Sequence, residues 1–347
     1  MAKISVVVPV YNVEDYLDWC LKSLQGQTLE DIEIVCVNDG STDSSAQKLT
    51  EWAKKDHRIV TVSKKNGGLS SARNEGIRKA TAPIVCFLDS DDRFTANACE
   101  TIVAAFERTD AEVVTFGANC YPASAGYPWL EQHLSPREVT YSPFHKNLLF
   151  KEMSRPFAWR TACKREFLLA NDLLFDEGLK FGEDQVFHFA VYPRSKCTAL
   201  IPDKLYDYRV SREGSLMHSV VHDLYAKCSE HVNIVSHILE NWEQDGFLNS
   251  YSGEMAEWIV EFLLYEAICL PEDQANEILG KAGKALAPYW NSNDIDDLLM
   301  RVSSKAILRL CYAGKTSSRN TLRRRRLAYR AQRDGVLNVA RSFFTHQ

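Results

Sequence analysis

Three apolar runs dictate what this chain can fold into. Ile4-Ser5-Val6-Val7-Val8, Ile32 to Val37 and Val85-Cys86-Phe87-Leu88 are almost continuously apolar, the pattern of strands buried on both faces. Each closes abruptly on polar residues: Pro9-Val10-Tyr11-Asn12, Asn38-Asp39-Gly40-Ser41-Thr42-Asp43 and Asp89-Ser90-Asp91-Asp92. Between them the apolar spacing turns helical, with Tyr16, Leu17, Cys20, Leu21 and Leu24 after the first run and Ala46, Leu49 and Ala53 after the second. Asn12, with Asp15 three residues on, is expected to cap the first helix. The alternation continues through a short strand at Ile59–Val62, an Asn66-Gly67-Gly68 turn into a helix carrying Ala72, Ile77 and Ala80, a helix near 95–108 and a strand at 112–116. Such alternation predicts an α/β fold, a mostly parallel sheet covered by helices on both faces.

From Gly117 to Phe150 the periodicity dissolves into Pro, Gly, Ser and aromatic residues, an irregular connection of the kind that borders a substrate site. Strand and helix character returns between 155 and 175, and Phe181-Gly182-Glu183-Asp184-Gln185-Val186 opens a helix with two acids in its first turn. Beyond Ser219 the spacing predicts helices at 221–243, 248–269, 272–287, 294–312 and 319–344. The expected domains are therefore 1–218 and 219–347. Ten cysteines without a CxxC or Cys/His ladder, several inside apolar runs, point to a reduced cytoplasmic protein lacking disulfides and structural zinc. Met1 to Ser5 leads directly into a strand, so no secretory leader is expected. The longest apolar stretch, Trp258 to Leu270, is interrupted by Glu261 and Glu266 and reads as a buried helix rather than a membrane span.

Asp89 and Asp91 stand two apart at a strand end, so in extended backbone both carboxylates face one side. Two such acids repel unless a cation lies between them, and Mg²⁺ or Mn²⁺ carrying phosphate oxygens fits that need. The alternative is a polar turn, rich in Asp because Asp favours turns and caps.

Taken together and in order, Pro9-Val10-Tyr11-Asn12, Val37 to Asp43, Asn66-Gly67-Gly68-Leu69-Ser70-Ser71-Ala72-Arg73-Asn74, Phe87 to Asp92 and Gly182-Glu183-Asp184 resemble the motifs of family 2 glycosyltransferases of the GT-A fold. The resemblance covers about residues 1–215. It implies a metal-dependent, inverting transfer of a sugar from a nucleotide-sugar, most commonly a UDP-sugar, to a glycan or lipid-linked saccharide in cell-surface polysaccharide synthesis. Donor contacts are expected from Pro9, Tyr11, Asp39, Arg73 and Asp89, metal coordination from Asp91, and general-base catalysis from Asp184. Tyr11 offers a ring for a pyrimidine, Asp39 an acceptor for uracil or ribose, and Arg73 a planar cation for phosphate or base. A carboxylate at a helix N-terminus, such as Asp184, is expected to stay ionised. Glu183 would orient an acceptor hydroxyl or pair with a basic residue, Trp159 would stack on an acceptor sugar or fill the core, and His218 would reach the metal or diphosphate from a closing segment. His188, one turn beyond Asp184, reads as a satisfied core histidine.

Residues 301–347 hold twelve Lys/Arg against one acid, Asp334, leaving the tail at +11 and the first 300 residues at −16. Leu322-Arg323-Arg324-Arg325-Arg326-Leu327 followed by Val336, Leu337, Val339, Ala340, Phe343 and Phe344 joins a basic cluster to an apolar stripe. Two readings stay open: residues 319–347 contact an anionic membrane at its inner face, or they pack on the acidic body. Nucleic acid is disfavoured because that body repels a polyanion, and the sequence leaves open a homo-oligomer formed through the helical part. A nucleotidyltransferase would need a Gly-rich, Arg-containing loop after the first strand, which Pro9 to Asn12 is not. A non-catalytic nucleotide-sugar or glycan-binding subunit would be expected to lack the acids at 89, 91 and 184.

Overall fold

The computed structural model describes residues 1–210, 223–314 and 316–335. The chain divides into two compact units, residues 1–212 and 213–347.

The first unit is built on one mixed sheet. Its strands are β1 Ile4–Val10, β2 Ile32–Asn38, β3 Ile59–Ser63, β4 Ile84–Phe87, β5 Arg93–Phe94, β6 Val113–Tyr121, β7 Val139–Tyr141, β8 Thr161–Lys164 and β9 Thr198–Arg209. They lie in the order β3-β2-β1-β4-β8-β6-β9-β5, with β7 also on β9. The pairs among β1 to β4 are parallel, as is β6 with β9, whereas β8 runs antiparallel to both β4 and β6. The helices are α1 Leu17–Gln25, α2 Ser45–Lys55, α3 Leu69–Lys79, α4 Ala98–Thr109, α5 Pro128–His133, α6 Asn147–Phe150, α7 Arg165–Ala170 and α8 Glu183–Arg194. All seven residues of β1 are buried, as its unbroken apolar run requires. Helix α3 lies so close to β1 that a Cβ on Gly76 would fall 2.2 Å from Val7 Cγ1, so only glycine permits that approach.

Some local expectations are corrected. Pro9 does not break β1; it pairs with Val37, and the strand runs on to Val10. The Val7 carbonyl accepts from Leu88 N–H and the Val10 carbonyl from Asp39 N–H, so alternation aims the Pro9 nitrogen at the β4 side. There pairing has already ended, at Val7 with Phe87, and the missing donor costs nothing. Asn12 caps no helix: it sits at φ +50°, and its Oδ1 accepts from Thr42 N–H at 2.8 Å, tying the first loop to the second. The region 117–150 is more ordered than expected, because β6 extends to Tyr121 against β9 and α5, β7 and α6 follow. The Asp89 to Asp92 segment is a turn, closed by Asp92 N–H donating to the Asp89 carbonyl, rather than the end of a strand.

The second unit is helical among its described residues. Helix α9 spans Leu224–Gln244, α10 Phe247–Ile259 with a continuation through Ala267, α11 Glu272–Leu286, α12 Asp294–Asp297, α13 Val302–Leu308 and α14 Arg319–Asp334. Trp242, Ile259, Leu264, Ile278 and Leu286 fill its core. No helix among the described residues is long and apolar enough to cross a membrane.

Candidate active site

The loops after β1, β2 and β4, the N-terminal turn of α3 and the N-terminus of α8 meet at one rim of the sheet, bound to one another by polar contacts. After β1, Tyr11 is 48% exposed and presents an open ring. Pro9 is buried within β1, so it shapes the rim rather than touching a ligand with its ring. After β2, the Asp39 carboxylate is 2% exposed. It accepts from Lys64 Nζ at 2.8 Å, Gly67 N–H at 3.0 Å and Gly68 N–H at 2.8 Å. Gly68 takes φ +89° to aim its N–H there, a conformation that excludes ordinary side chains. Asp39 therefore fixes the loop that launches α3, a role for which Lys64 is the partner that sequence reasoning missed.

Arg73 is the hub. Its guanidinium donates through Nη2 to Asp89 Oδ1 at 2.8 Å and through Nη1 to Glu183 Oε1 at 2.8 Å, while lying over the Phe175 ring at 5.2 Å. Only its Nε lacks a partner. Burial alone would strip the charge from this side chain, but Asp89 and Glu183 outweigh it and hold the guanidinium protonated. Of the expected alternatives for Glu183, the structure shows the pairing with a cation, and the cation is Arg73.

Asp184 begins α8 beside it. One carboxylate oxygen accepts from Phe157 N–H at 2.8 Å, the other from Gln185 N–H at 2.8 Å. Burial pushes Asp184 above the ordinary carboxylate range, opposed by Phe157 N–H and Arg73. Glu183 is raised for the same reason, with Arg73 opposing and Asp184 adding to the rise. Desolvation thus works against the helix terminus that was expected to keep Asp184 ionised, and it is the larger of the two effects. A raised carboxylate is a stronger base than a free one, while its second lone pairs remain for an incoming proton.

Three acids after β4 divide their work. Asp89 faces Arg73, Asp91 is half-buried at the rim, and Asp92 is buried. Asp92 accepts from Tyr206 Oη–H at 2.7 Å and from Arg209 N–H at 2.6 Å, while Asp89 N–H donates to the same tyrosine oxygen at 3.2 Å. Burial pushes Asp92 well up, with Asp91 and Asp89 adding to it and Tyr206 opposing. It anchors the acid turn to β9. Among the described residues no three His, Cys, Asp or Glu side chains form a group able to hold a metal alone. Asp91 offers the hard oxygen that Mg²⁺ or Mn²⁺ takes, and such ions draw most of their remaining ligands from phosphate and water, so the residues fit one carried in with a diphosphate.

Trp159 is corrected: at 3% exposure it is core, stacked on Tyr206 with centroids 4.0 Å apart. The exposed part of that stack is Phe157 and Tyr208, half-buried residues that sequence reasoning did not select as site residues. Phe157 takes φ +76°, unusual for a bulky residue and costing about 1–3 kcal/mol, and its N–H is the one that holds Asp184. The alternation Tyr206-Asp207-Tyr208-Arg209 in a strand was the available signal for Tyr208. His188 is fully buried, its Nε2 3.0 Å from Thr161 Oγ1 and its Nδ1 without a partner; burial holds it neutral. His218 lies outside the described residues.

Comparison with known proteins adds three findings. The model of glycosyl transferase family 2 matches residues 5–169. The uncharacterized glycosyltransferase EpsJ of Bacillus subtilis is 34% identical over 213 residues, 59% of this chain and 60% of EpsJ. Glycosyltransferase GlyG of Streptococcus pneumoniae is 32% identical over 225 residues, 62% of this chain and 73% of GlyG. The chain thus spans less than two thirds of the length of EpsJ. Among solved structures, residues 1–349 of Staphylococcus aureus TarS in complex with UDP-GlcNAc superpose with a TM-score of 0.74 at 21% identity, covering 96% of this chain and 92% of that one. At that identity the likeness speaks for the fold, which is GT-A with a helical C-terminal region.

Proposed function

The chain belongs to glycosyl transferase family 2, and from that premise we propose that it transfers a sugar, with inversion, from a nucleotide-sugar to a saccharide or lipid-linked saccharide acceptor in cell-surface polysaccharide synthesis. The observation that carries this reading is the Arg73 bridge, which holds the donor-side acid Asp89 and the acid pair Glu183-Asp184 in one bonded unit. A donor acid and a candidate base linked by a single buried cation suit in-line displacement, where base, acceptor oxygen and leaving diphosphate must stay in register.

In this mechanism Tyr11 packs on the base, Asp39 fixes the Gly67-Gly68 loop against the nucleoside, and Asp89 accepts from the ribose. Asp91 would hold Mg²⁺ or Mn²⁺, which neutralises charge on a leaving diphosphate. Asp184 takes the proton of the acceptor hydroxyl as its oxygen bonds to the anomeric carbon and the bond to the diphosphate breaks. The solved TarS complex with UDP-GlcNAc supports a UDP-sugar as the donor.

The test is nucleotide release from UDP-, GDP- and dTDP-sugars with Mn²⁺ or Mg²⁺ and with EDTA. Release from a UDP-sugar that EDTA and Asp91→Ala both abolish is the expected result. If no donor raises the melting temperature, the chain is instead a non-catalytic glycan-binding subunit.

A second reading concerns position in the cell. On α14, Arg323 to Arg326 are all exposed while Leu322 and Tyr329 are buried, Tyr329 against Tyr265 at 4.9 Å. The helix thus packs within the helical unit and leaves its arginines outward, which suits peripheral contact with an anionic membrane at about 1 kcal/mol per residue. Vesicles containing a third phosphatidylglycerol should co-sediment the protein in low salt, and replacing the four arginines by glutamate should release it. The apolar part of this tail, from residue 336, lies outside the described residues.

A further inference from the structure

Aromatic rings continue outward from Asp184 in a way the reaction above does not use. Phe157, whose N–H holds Asp184, stacks on Trp159 with centroids 5.1 Å apart and planes 27° from parallel. Tyr208 stacks on the same tryptophan at 5.2 Å and 21°. Trp159 and Tyr206 form the buried inner half of this stack, and Phe157 and Tyr208 the half that reaches solvent.

A second pair stands nearby. Tyr127, just before α5, and Trp129 within it are each 49% exposed and nearly parallel, with centroids 6.2 Å apart and planes at 12°. Trp129 rests in turn on His133 at 4.0 Å. Burial pushes the Tyr208 phenol up, with Asp92, Asp89, Asp91 and last Tyr127 adding to the rise. The two patches are also braced together: buried Arg160 donates to the backbone carbonyls of His133, at the end of α5, and of Met153 and Pro156, just before Phe157.

Large rings held rigid, two exposed and two half-buried, invite a flat ligand of complementary charge. A pyranose ring presents polarised C–H groups on its face, and an aromatic face is negative, so the two stack. We propose that Phe157, Tyr208, Tyr127 and Trp129 form an acceptor track for a saccharide of several pyranose rings, with the reacting ring at Phe157 beside Asp184 and the earlier rings on Tyr127 and Trp129. This deepens the proposed function and rests on it. It makes the acceptor a growing glycan rather than a single sugar. The occupant follows from continuity with the candidate base, since the Phe157 N–H is bonded to the carboxylate that would take the acceptor's proton.

The experiment uses the full chain and cello- and chito-oligosaccharides of one to six rings. Saturation-transfer NMR on the wild type should pass magnetisation from aromatic protons to the sugar C–H protons, more strongly for four rings than for one. In transfer assays KM for the acceptor should fall about tenfold between one and four rings, a stacking contribution of ordinary size. Trp129→Ala should erase most of that fall in KM, and Trp129→Phe should restore it, which a purely structural role would not do. Absence of saturation transfer to every saccharide, or a length dependence that survives in Trp129→Ala, would overturn the proposal. Donor-dependent nucleotide release by the wild type without acceptor reads the underlying transferase activity separately, so loss of one reading is distinguishable from loss of the other.

Discussion

The two ends of the active rim are built from different materials. On the proposed donor side, loops are locked by charged and backbone hydrogen bonds: Asn12 to Thr42, Asp39 to Gly67 and Gly68, Arg73 to Asp89. On the proposed acceptor side, stacked rings and a left-handed Phe157 do the positioning. Hydrogen bonds fix distance and direction and suit a ligand whose nucleotide never changes. Stacking fixes a plane and tolerates sliding, which suits an acceptor that lengthens.

Four measurements put this division of labour at risk. The largest effect is expected at the junction, where Asp184→Asn should lower kcat by about a thousandfold with donor affinity retained, the ordinary scale of a lost general base. Equal loss of donor binding would mean that Asp184 belongs to the donor side. Next comes Arg73→Met, which leaves Asp89 and Glu183 facing each other without their cation. It should cost about 3–5 kcal/mol in urea unfolding, as expected for breaking a buried ion pair. An unchanged midpoint would show that the polar lock is not what holds this rim. Smaller again, Asp39→Asn turns an amide donor toward N–H groups that need an acceptor. About 1–3 kcal/mol of stability and roughly tenfold in donor KM should be lost, with acceptor KM unmoved.

The smallest is a pH effect. Asp184 and Glu183 have folded values raised above their unfolded ones, so the folded state binds more protons there than the unfolded state does. The stability they contribute is full below the unfolded values, at about pH 4, and is lost as pH rises through the folded values, each tenfold gain in proton affinity being worth about 1.4 kcal/mol. Urea midpoints taken between about pH 4 and 7 should therefore fall further in the wild type than in Asp184→Asn. Parallel curves would mean that Asp184 is not desolvated.

The same contrast explains what could be read in advance. Donor-side elements were legible because strand and helix periods alternate cleanly there, and because Asp39 and Asp91 stand in loops, and Arg73 early in a helix, at positions fixed by that alternation. The error at Asn12 arose because its side chain satisfies a loop thirty residues away rather than its own helix, and no local rule contains that distance. Pro9 was misread because a strand tolerates proline on the side where its neighbour has ended, a fact of sheet order. Arg73 was legible as a cation but not as a bridge, since Glu183 lies 110 residues further on. On the proposed acceptor side Trp159 was read as a ring able to stack on a sugar, yet its burial is decided by Tyr206 of β9, which stacks on it. Strand alternation offered a signal for Tyr208, but its partner Phe157 remained hidden because stacking between rings about fifty residues apart leaves no period in the sequence.

The antiparallel strand β8 carries a consequence for how the chain is made. Strands β1 to β4 can assemble from neighbouring segments as they leave the ribosome, each pairing with a strand less than 90 residues away. Among the described residues the free side of β4 is covered by β8, which pairs Ile84 with Lys164, so about half the chain must be synthesised before that edge closes. Until then an apolar strand stands open to any other nascent chain, the usual starting point of aggregation. Synthesis slowed between residues 90 and 164 would lengthen that window, and solubility on expression would register the delay even where the finished enzyme is unchanged.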